Sequence, residues 1–384
     1  MSPKRKLTST HRPSKWFRVR LLCYPLVVAT VLRAIGAVWL FHLLSLEGKF
    51  RTPWMDGYQN LTLGWSPISV PSNSSWLWLF NAYDSVHFQL IAVLGYYHPN
   101  FVYLPWFPVL IRLAGSLTGD YWFGGFLVTQ LFAIGSIVMF QFLAELYMQP
   151  TEAMYATLLM AIFPYISVFT TLSYSEAIFM FSSLSTWYFY KTERVEVSSL
   201  FAGLASITRV YGFVIVLPMF LSIVSSKRYR RLFYLLIPTA FIGLWVLYCY
   251  FSTGDPIVSW TDEKYWIFDS KFSLAQIILS QGLKGIGCCA VHPGILVSVG
   301  LFAIVAARIW RVDRFLWAYT VSLFSLLLFT TVDHLSLLRY FSFIFPLWLT
   351  VKLRNPLIVA ICVIFFVPVS LILWLYALSA IFIG

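Results

Sequence analysis

The chain has 384 residues, 60% hydrophobic and only 11% charged, with a formal net charge of +12. A soluble globular domain carries roughly 25% charged residues, so this composition excludes a soluble body and indicates an integral membrane protein with many spans. Much of the positive charge lies in short loops and the N-terminal tail, where it sets topology, and nothing in the chain resembles a soluble nucleic-acid module.

Residues 1–20 form a basic tail with Lys4, Arg5, Lys6, Arg12, Lys15, Arg18 and Arg20. The positive-inside rule makes this tail cytoplasmic. A first span follows over 21–45; it is long and has no clear small-residue cleavage site, so it reads as an anchor. Arg33 within it must snorkel or face the protein interior. Residues from about 46 to 101 form a long outer-face loop with two N-x-[ST] sequons, at Asn60 and Asn73. Its end, about 76–95, reads as an amphipathic helix lying along the membrane surface. Trp76, Trp78, Tyr83 and Phe88 are the aromatics expected at that boundary.

Further spans are expected at about 102–118, 121–146, 152–171, 174–191, 199–224 and 232–252. The loop Lys227-Arg228-Tyr229-Arg230-Arg231 is cytoplasmic by charge. A second long outer loop, about 253–290, carries Asp255, Trp260, Glu263 and Trp266. Spans at about 291–307, 315–331, 339–351 and 356–382 complete the count. Arg308, Arg311 and Arg314, then Lys352 and Arg354, return to the cytoplasm. Every strongly basic loop thus falls on one side, and one missed span would invert half of them. The same count leaves Ser175-Glu176 near the cytoplasmic end. A non-spanning pair there would bring Glu176 outward and preserve the parity elsewhere.

The expected fold is an all-α polytopic bundle of about eleven transmembrane helices with two long outer loops, the first carrying the interfacial helix. The domain reading is a tail over 1–20, a transmembrane domain over 21–355 and a C-terminal helix over 356–384. No internal repeat or heptad pattern occurs. The five cysteines, including the adjacent Cys288-Cys289, point to neither a disulfide framework nor a metal site.

Chemistry concentrates in Tyr83-Asp84-Ser85-Val86-His87-Phe88. Asp84 and His87 share a face if the stretch is helical. A carboxylate and an imidazole held together at the boundary can do general acid–base work on a lipid-borne substrate. The plainer alternative has Asp84 capping the helix and His87 resting on its surface. The ionisable groups within spans are Arg33, Arg112, Glu176, Arg209 and Arg339. Such groups are costly and either serve a site or pair. Arg33 and Arg112 are expected to snorkel, while Glu176 and Arg209 either pair within the bundle or line a site. The planar forks of Arg209 and Arg339 suit a phosphate, and a phosphate near a membrane suggests a lipid phosphate.

The ordered motifs resemble the PIG-V family of mannosyltransferases, within the GT-C superfamily. Tyr83-Asp84-Ser85-Val86-His87-Phe88 is similar to that family's Trp-Asp-x-x-His-Phe. Leu104-Pro105-Trp106-Phe107-Pro108 resembles its Phe-Pro-x-Phe-Pro, and Tyr174-Ser175-Glu176-Ala177 its Tyr-Ser-Glu-Ala/Ser. Thr208-Arg209-Val210-Tyr211-Gly212 resembles Thr-Arg-x-x-Gly. Gly254-Asp255-Pro256 with Trp266 resembles the second-loop motif of prokaryotic relatives, and Arg339-Tyr340 with Phe345-Pro346 the closing motif. Tyr83 stands where the family has tryptophan, and Tyr211 where it has asparagine.

The resemblance implies a GT-C-type bundle and a glycosyltransferase using a polyprenyl (dolichyl-type) phosphate sugar, most readily mannose, with inversion at C1. Asp84 would be the base and His87 its partner. Glu176, Arg209, Arg339, Tyr83, Asp255, Glu263 and Trp266 would line the substrate site. No cofactor or metal is implied. The partners would be the lipid-linked donor, a glycolipid acceptor, the bilayer and a small membrane subunit, with no nucleic acid. The site would face away from the cytoplasm, in the cell membrane of a prokaryote or archaeon, the reading the short length favours, or in the endoplasmic reticulum membrane of a eukaryote. The rival classes are a transporter or flippase of lipid-linked sugars and a non-catalytic subunit of a glycosylation complex.

Overall fold

The structure, a computed structural model, describes residues 15–46, 76–82, 84–262, 293–330 and 334–378. Among these the regular structure is helical and no strand occurs. In hydrocarbon a chain must satisfy its backbone polar groups internally, which helices do within one segment. Four helices are long and apolar enough to cross a membrane: Leu21–Leu43, Tyr121–Ala144, Tyr229–Thr253 and Pro356–Leu378. Tyr121–Ala144 is 44% buried against 17–22% for the others, so it runs inside the bundle and they form its rim.

α1 (Lys15–Leu46) opens the described chain. A 3-10 turn (Trp76–Phe80) and α2 (Ser85–Leu94) precede α3 (Trp106–Thr118) and α4 (Tyr121–Ala144). The sharp α3–α4 reversal uses Gly119 at φ 77°, in the left-handed region that glycine tolerates. Asp120 then caps α4, its Oδ1 accepting the Trp122 and Phe123 N–H groups at 2.8 and 3.1 Å. α5 (Pro150–Ile162) starts with proline in its first turn and with Glu152 accepting the Gln149 N–H. Pro164 interrupts the helical ladder, and α6 (Pro164–Phe169) continues from it. α7 (Glu176–Lys191), α8 (Val195–Ser206), a 3-10 turn (Val210–Ile215) and α9 (Val216–Ser225) follow. The remainder is α10 (Leu236–Thr253), short α11 (Val258–Thr261), α12 (Pro293–Val312), α13 (Arg314–Thr330), α14 (His334–Ser342), a 3-10 turn (Phe345–Thr350) and α15 (Pro356–Leu378).

Ion pairs gather the loops at one end. Lys191 meets Asp313 at 2.7 Å, and Tyr147 donates to the same carboxylate at 3.0 Å. Glu193 takes Arg228 and Arg231 at 2.6 and 2.5 Å, and Glu152 takes Arg354 at 2.5 Å. The loops around Arg228–Arg231, Asp313–Arg314 and Arg354 therefore share an end with Tyr147–Glu152 and Lys191–Glu193. α7 leads away from this end, and its 16 residues place Glu176 about 24 Å off. Between the ends lies one apolar core that includes Phe140, Leu143, Leu184, Trp187, Ile223 and Leu316.

Several expectations are corrected by this arrangement. The 102–118 segment is a 13-residue helix, about 20 Å long, that stays on the side of Glu176. The 199–224 segment is a hairpin, not one span: Ser198 on α8 meets Met219 on α9 at 3.8 Å, and the apex is Thr208-Arg209. The 152–171 and 339–351 segments are broken helices, interrupted at Pro164 and after Ser342. Glu176 lies away from the basic end, not near it. α2 does not lie along a surface, because seven of its ten residues are buried. Arg33 does not snorkel: it donates to the Thr170 hydroxyl at 2.7 Å and the Ala161 carbonyl at 3.3 Å. Arg112 is exposed on α3.

Candidate active site

Five stretches far apart in the chain meet at the end opposite the basic loops. The Ser173 N–H donates to the Phe80 carbonyl at 2.7 Å, and the Trp106 N–H to the Ile207 carbonyl at 3.1 Å. The first bond seats the turn before α7 on the segment before α2. The second seats the start of α3 on the α8–α9 apex.

Asp84 occupies the N-cap position of α2, but its side chain makes no cap bond. Ser85 Oγ instead accepts the Ala82 N–H at 3.2 Å. The Asp84 carboxylate is turned the other way, and its Oδ1 accepts the Tyr103 hydroxyl at 3.1 Å. The capping alternative is thereby excluded for this side chain. Its backbone N–H donates to the Tyr174 hydroxyl at 3.1 Å.

His87 stacks on Tyr103 with ring centroids 5.3 Å apart and planes 10° from parallel. Tyr103 thus touches both residues that the sequence pairs. Burial lowers the His87 imidazole below its ordinary value, against the opposing pull of Asp84 and Asn100, and so favours the neutral ring. Burial, with the Asp84 carboxylate adding to it, pushes the Tyr103 phenol well above its ordinary range. Tyr103 therefore stays protonated and donates.

Glu176 is 1% exposed, and its Oε1 takes both Arg209, at 2.8 Å, and Arg339. The hairpin apex and the last turn of α14 supply these two cations to the first turn of α7. Arg209 also donates to Ser175 Oγ at 3.2 Å. Its guanidinium lies 5.5 and 5.0 Å from the Tyr211 and Tyr340 rings. Arg339 sits 3.8 Å from the Phe169 ring and 4.9 Å from Tyr174. Aromatic faces stabilise guanidinium ions that have lost water. The trio carries two positive charges and one negative, so one cation is in excess. The Glu176 Oε2 atom is buried and has no hydrogen-bond partner among the described residues. It is a free acceptor beside that excess charge.

Gly212 allows the apex to close. A Cβ there would run into the Ala205 carbonyl, and the turn is held by Arg209 N–H to Ala205 at 3.1 Å and Gly212 N–H to Arg209 at 2.8 Å.

Asp84, His87, Glu176, Arg209 and Arg339 are thus brought to one region. Asp255 is placed differently: its Oδ1 accepts the Ile257 N–H and its Oδ2 the Thr261 hydroxyl, both at 2.9 Å, so it builds its own turn. Tyr83, Glu263 and Trp266 lie outside the described residues.

Sequence reasoning assigned no role to Tyr103, Tyr174, Tyr340 or Asp262. The first three stand in or beside quoted motifs, which was their only signal. Asp262, 2% exposed, pairs with His98 Nδ1 at 2.8 Å and accepts the Phe101 N–H at 3.3 Å. It latches the segment after α11 to the one that carries Tyr103. Among the described residues, no three His, Cys, Asp or Glu side chains gather as metal ligands.

No family model, curated protein or solved structure matches this chain.

Proposed function

We propose that the protein is a membrane glycosyltransferase that moves a sugar, mannose in our reading, from a polyprenyl phosphate to a lipid-linked glycan or glycolipid. The observation that carries this reading is the trio of Glu176, Arg209 and Arg339, in which Glu176 and Arg339 are buried and Arg209 is 14% exposed, and which by itself carries one positive charge in excess. A lipid phosphate matches that excess in sign, and arginine forks match its oxygens. The free Glu176 Oε2 suits a sugar hydroxyl, which needs an acceptor once it leaves water.

The chemistry follows from these roles. Asp84 accepts the proton of the acceptor hydroxyl as that oxygen forms its bond to C1 of the sugar. The bond from C1 to the phosphate oxygen breaks, and its electron pair leaves with the lipid phosphate. Arg209 and Arg339 neutralise the charge that develops there. One displacement inverts C1, so a β-linked donor gives an α-linked product. Tyr103 and Tyr174 hold Asp84 from its carboxylate and its backbone.

The same reading orients the chain. The end that gathers Arg228, Arg231 and Arg354 faces the cytoplasm by the positive-inside rule, and the site faces outward. Dropping 102–118 as a span while splitting 199–224 into two passages keeps the count at about eleven, which leaves the basic loops on one side. The membrane is that of a prokaryotic or archaeal cell in our preferred reading, and the endoplasmic reticulum for a eukaryotic source.

The test is Asp84→Asn, assayed in membranes with a defined polyprenyl-phosphate mannose. Transfer is expected to fall by at least about a thousandfold, more than a general acid–base contribution at its lower limit. Turnover near wild type removes Asp84 as the base.

A further inference from the structure

Asp262 stands outside the site, yet its contacts lead to both residues that the site pairs. It follows α11 and is buried, with His98 and the Phe101 N–H on its two oxygens at 2.8 and 3.3 Å. His98 is exposed, so the backbone bond is the buried end of this bridge. Phe101 is the middle residue of a 3-10 turn, Asn100–Val102, that Tyr103 ends. The Tyr103 N–H closes the turn on the Asn100 carbonyl at 3.2 Å. Both ends of the turn reach the site. Tyr103 donates to Asp84 at 3.1 Å and stacks on His87, and the Asn100 side chain lies within reach of the His87 imidazole. The turn rests on a cluster apart from the main core, in which Phe101 packs with Trp245 and Cys249 of α10 and Val258 of α11. Tyr96 adds a hydroxyl bond to the Tyr103 carbonyl at 2.8 Å. An apolar side chain could fill the place of Asp262 without the cost of burying a carboxylate. What the carboxylate adds is a directed bond to the turn.

We propose that Asp262 is a positioning residue for Asp84 and His87: by fixing the Asn100–Val102 turn from the end of α11, it sets Tyr103 on Asp84 and Asn100 beside His87. α10 and α11 supply none of Asp84, His87, Glu176, Arg209 or Arg339, so their part in the reaction runs through this turn. A base displaced by about 1 Å can lose up to about a hundredfold in rate, and the Tyr103 hydroxyl is the side-chain contact that fixes Asp84 Oδ1. The inference rests on the reading of Asp84 as the base and names what holds that base in register.

The test uses the full chain reconstituted with a polyprenyl-phosphate mannose donor. Asp262→Ala removes both bonds. It is expected to lower kcat at least about tenfold with donor KM within about twofold of wild type, because it moves the turn and not the arginines. Asp262→Asn keeps an acceptor for the Phe101 N–H and should return kcat to within about threefold of wild type. Tyr96→Phe loosens the same turn through Tyr103 and leaves the Asp262 bonds intact, so a folding defect in Asp262→Ala does not decide the outcome. Its expected loss in kcat is about threefold. Wild-type kcat in both Asp262→Ala and Tyr96→Phe, or a loss that falls on KM alone, overturns the assignment. Amide hydrogen exchange reads the same coupling without turnover. In Asp262→Ala the amides of 84–88 are expected to exchange at least about tenfold faster, together with those of 97–103. Faster exchange confined to 97–103 overturns the link to Asp84. Near-wild-type turnover in Asp84→Asn removes the base reading alone, and the exchange result still decides whether Asp262 sets this turn against α2.

Discussion

The Asp84 N–H and the Tyr174 hydroxyl are 3.1 Å apart, and their hydrogen bond joins the start of α2 to the turn that carries Glu176. Phe80 and Ser173 make a second bond along the same seam. The base and the carboxylate that holds both arginines are therefore set by one junction. Tyr174→Phe keeps the ring and removes the acceptor. Leaving the N–H unpaired costs about 1–3 kcal/mol. Turnover is expected to drop about tenfold with donor KM little changed, because the shift displaces Asp84 and not the arginines. Steady-state kinetics on reconstituted protein check this, and an unchanged kcat removes the positioning role.

Glu176 neutralises one of two cations that lie 14% and 4% exposed. Replacing it with alanine strands both, and breaking such a buried pair costs about 3–5 kcal/mol. Glu176→Ala should unfold well below wild type in detergent. Adding Arg339→Met should recover part of the loss, with a coupling above about 1 kcal/mol in a double-mutant cycle. Additive effects would mean that the pair contributes nothing as a pair.

Arg209 depends on the tight α8–α9 apex, and the apex depends on Gly212. Gly212→Ala forces a side chain against the Ala205 carbonyl. Overpacking of this kind costs about 1–3 kcal/mol. The expected result is a raised donor KM together with a lowered melting temperature. A variant with wild-type kinetics shows that the apex has room to move.

His87 gives the pH dependence a sign. Burial lowers its folded value, while the unfolded chain titrates near the ordinary 6.5. Below 6.5 the unfolded state binds the extra proton first, so stability falls as pH drops toward the lowered folded value. Above 6.5 this contribution is constant. Thermal melts across pH 4.5–7.5 should therefore show a slope that His87→Asn reduces; equal slopes in both proteins would assign the acid limb to another group.

Composition by itself pointed to a protein for an apolar environment, because a chain with 11% charged residues cannot cover a soluble body, and the length of the apolar runs pointed to helices. The polar residues worth attention were also legible, since a carboxylate or guanidinium inside an apolar segment stands out against its neighbours. Passage through the bundle was less legible. Hydropathy reads 199–224 as one continuous apolar run, although the chain turns back at Thr208-Arg209, and it reads 102–118 as a span although α3 has only 13 residues. A turn that buries its backbone against other helices looks like helix to a hydropathy window. Pairing was not legible at all. Glu176 and Arg339 share a bond across 163 positions, and Asp262 reaches Phe101 across 161. Such partners are chosen by how whole helices pack, which is a property of the tertiary structure and of no local stretch.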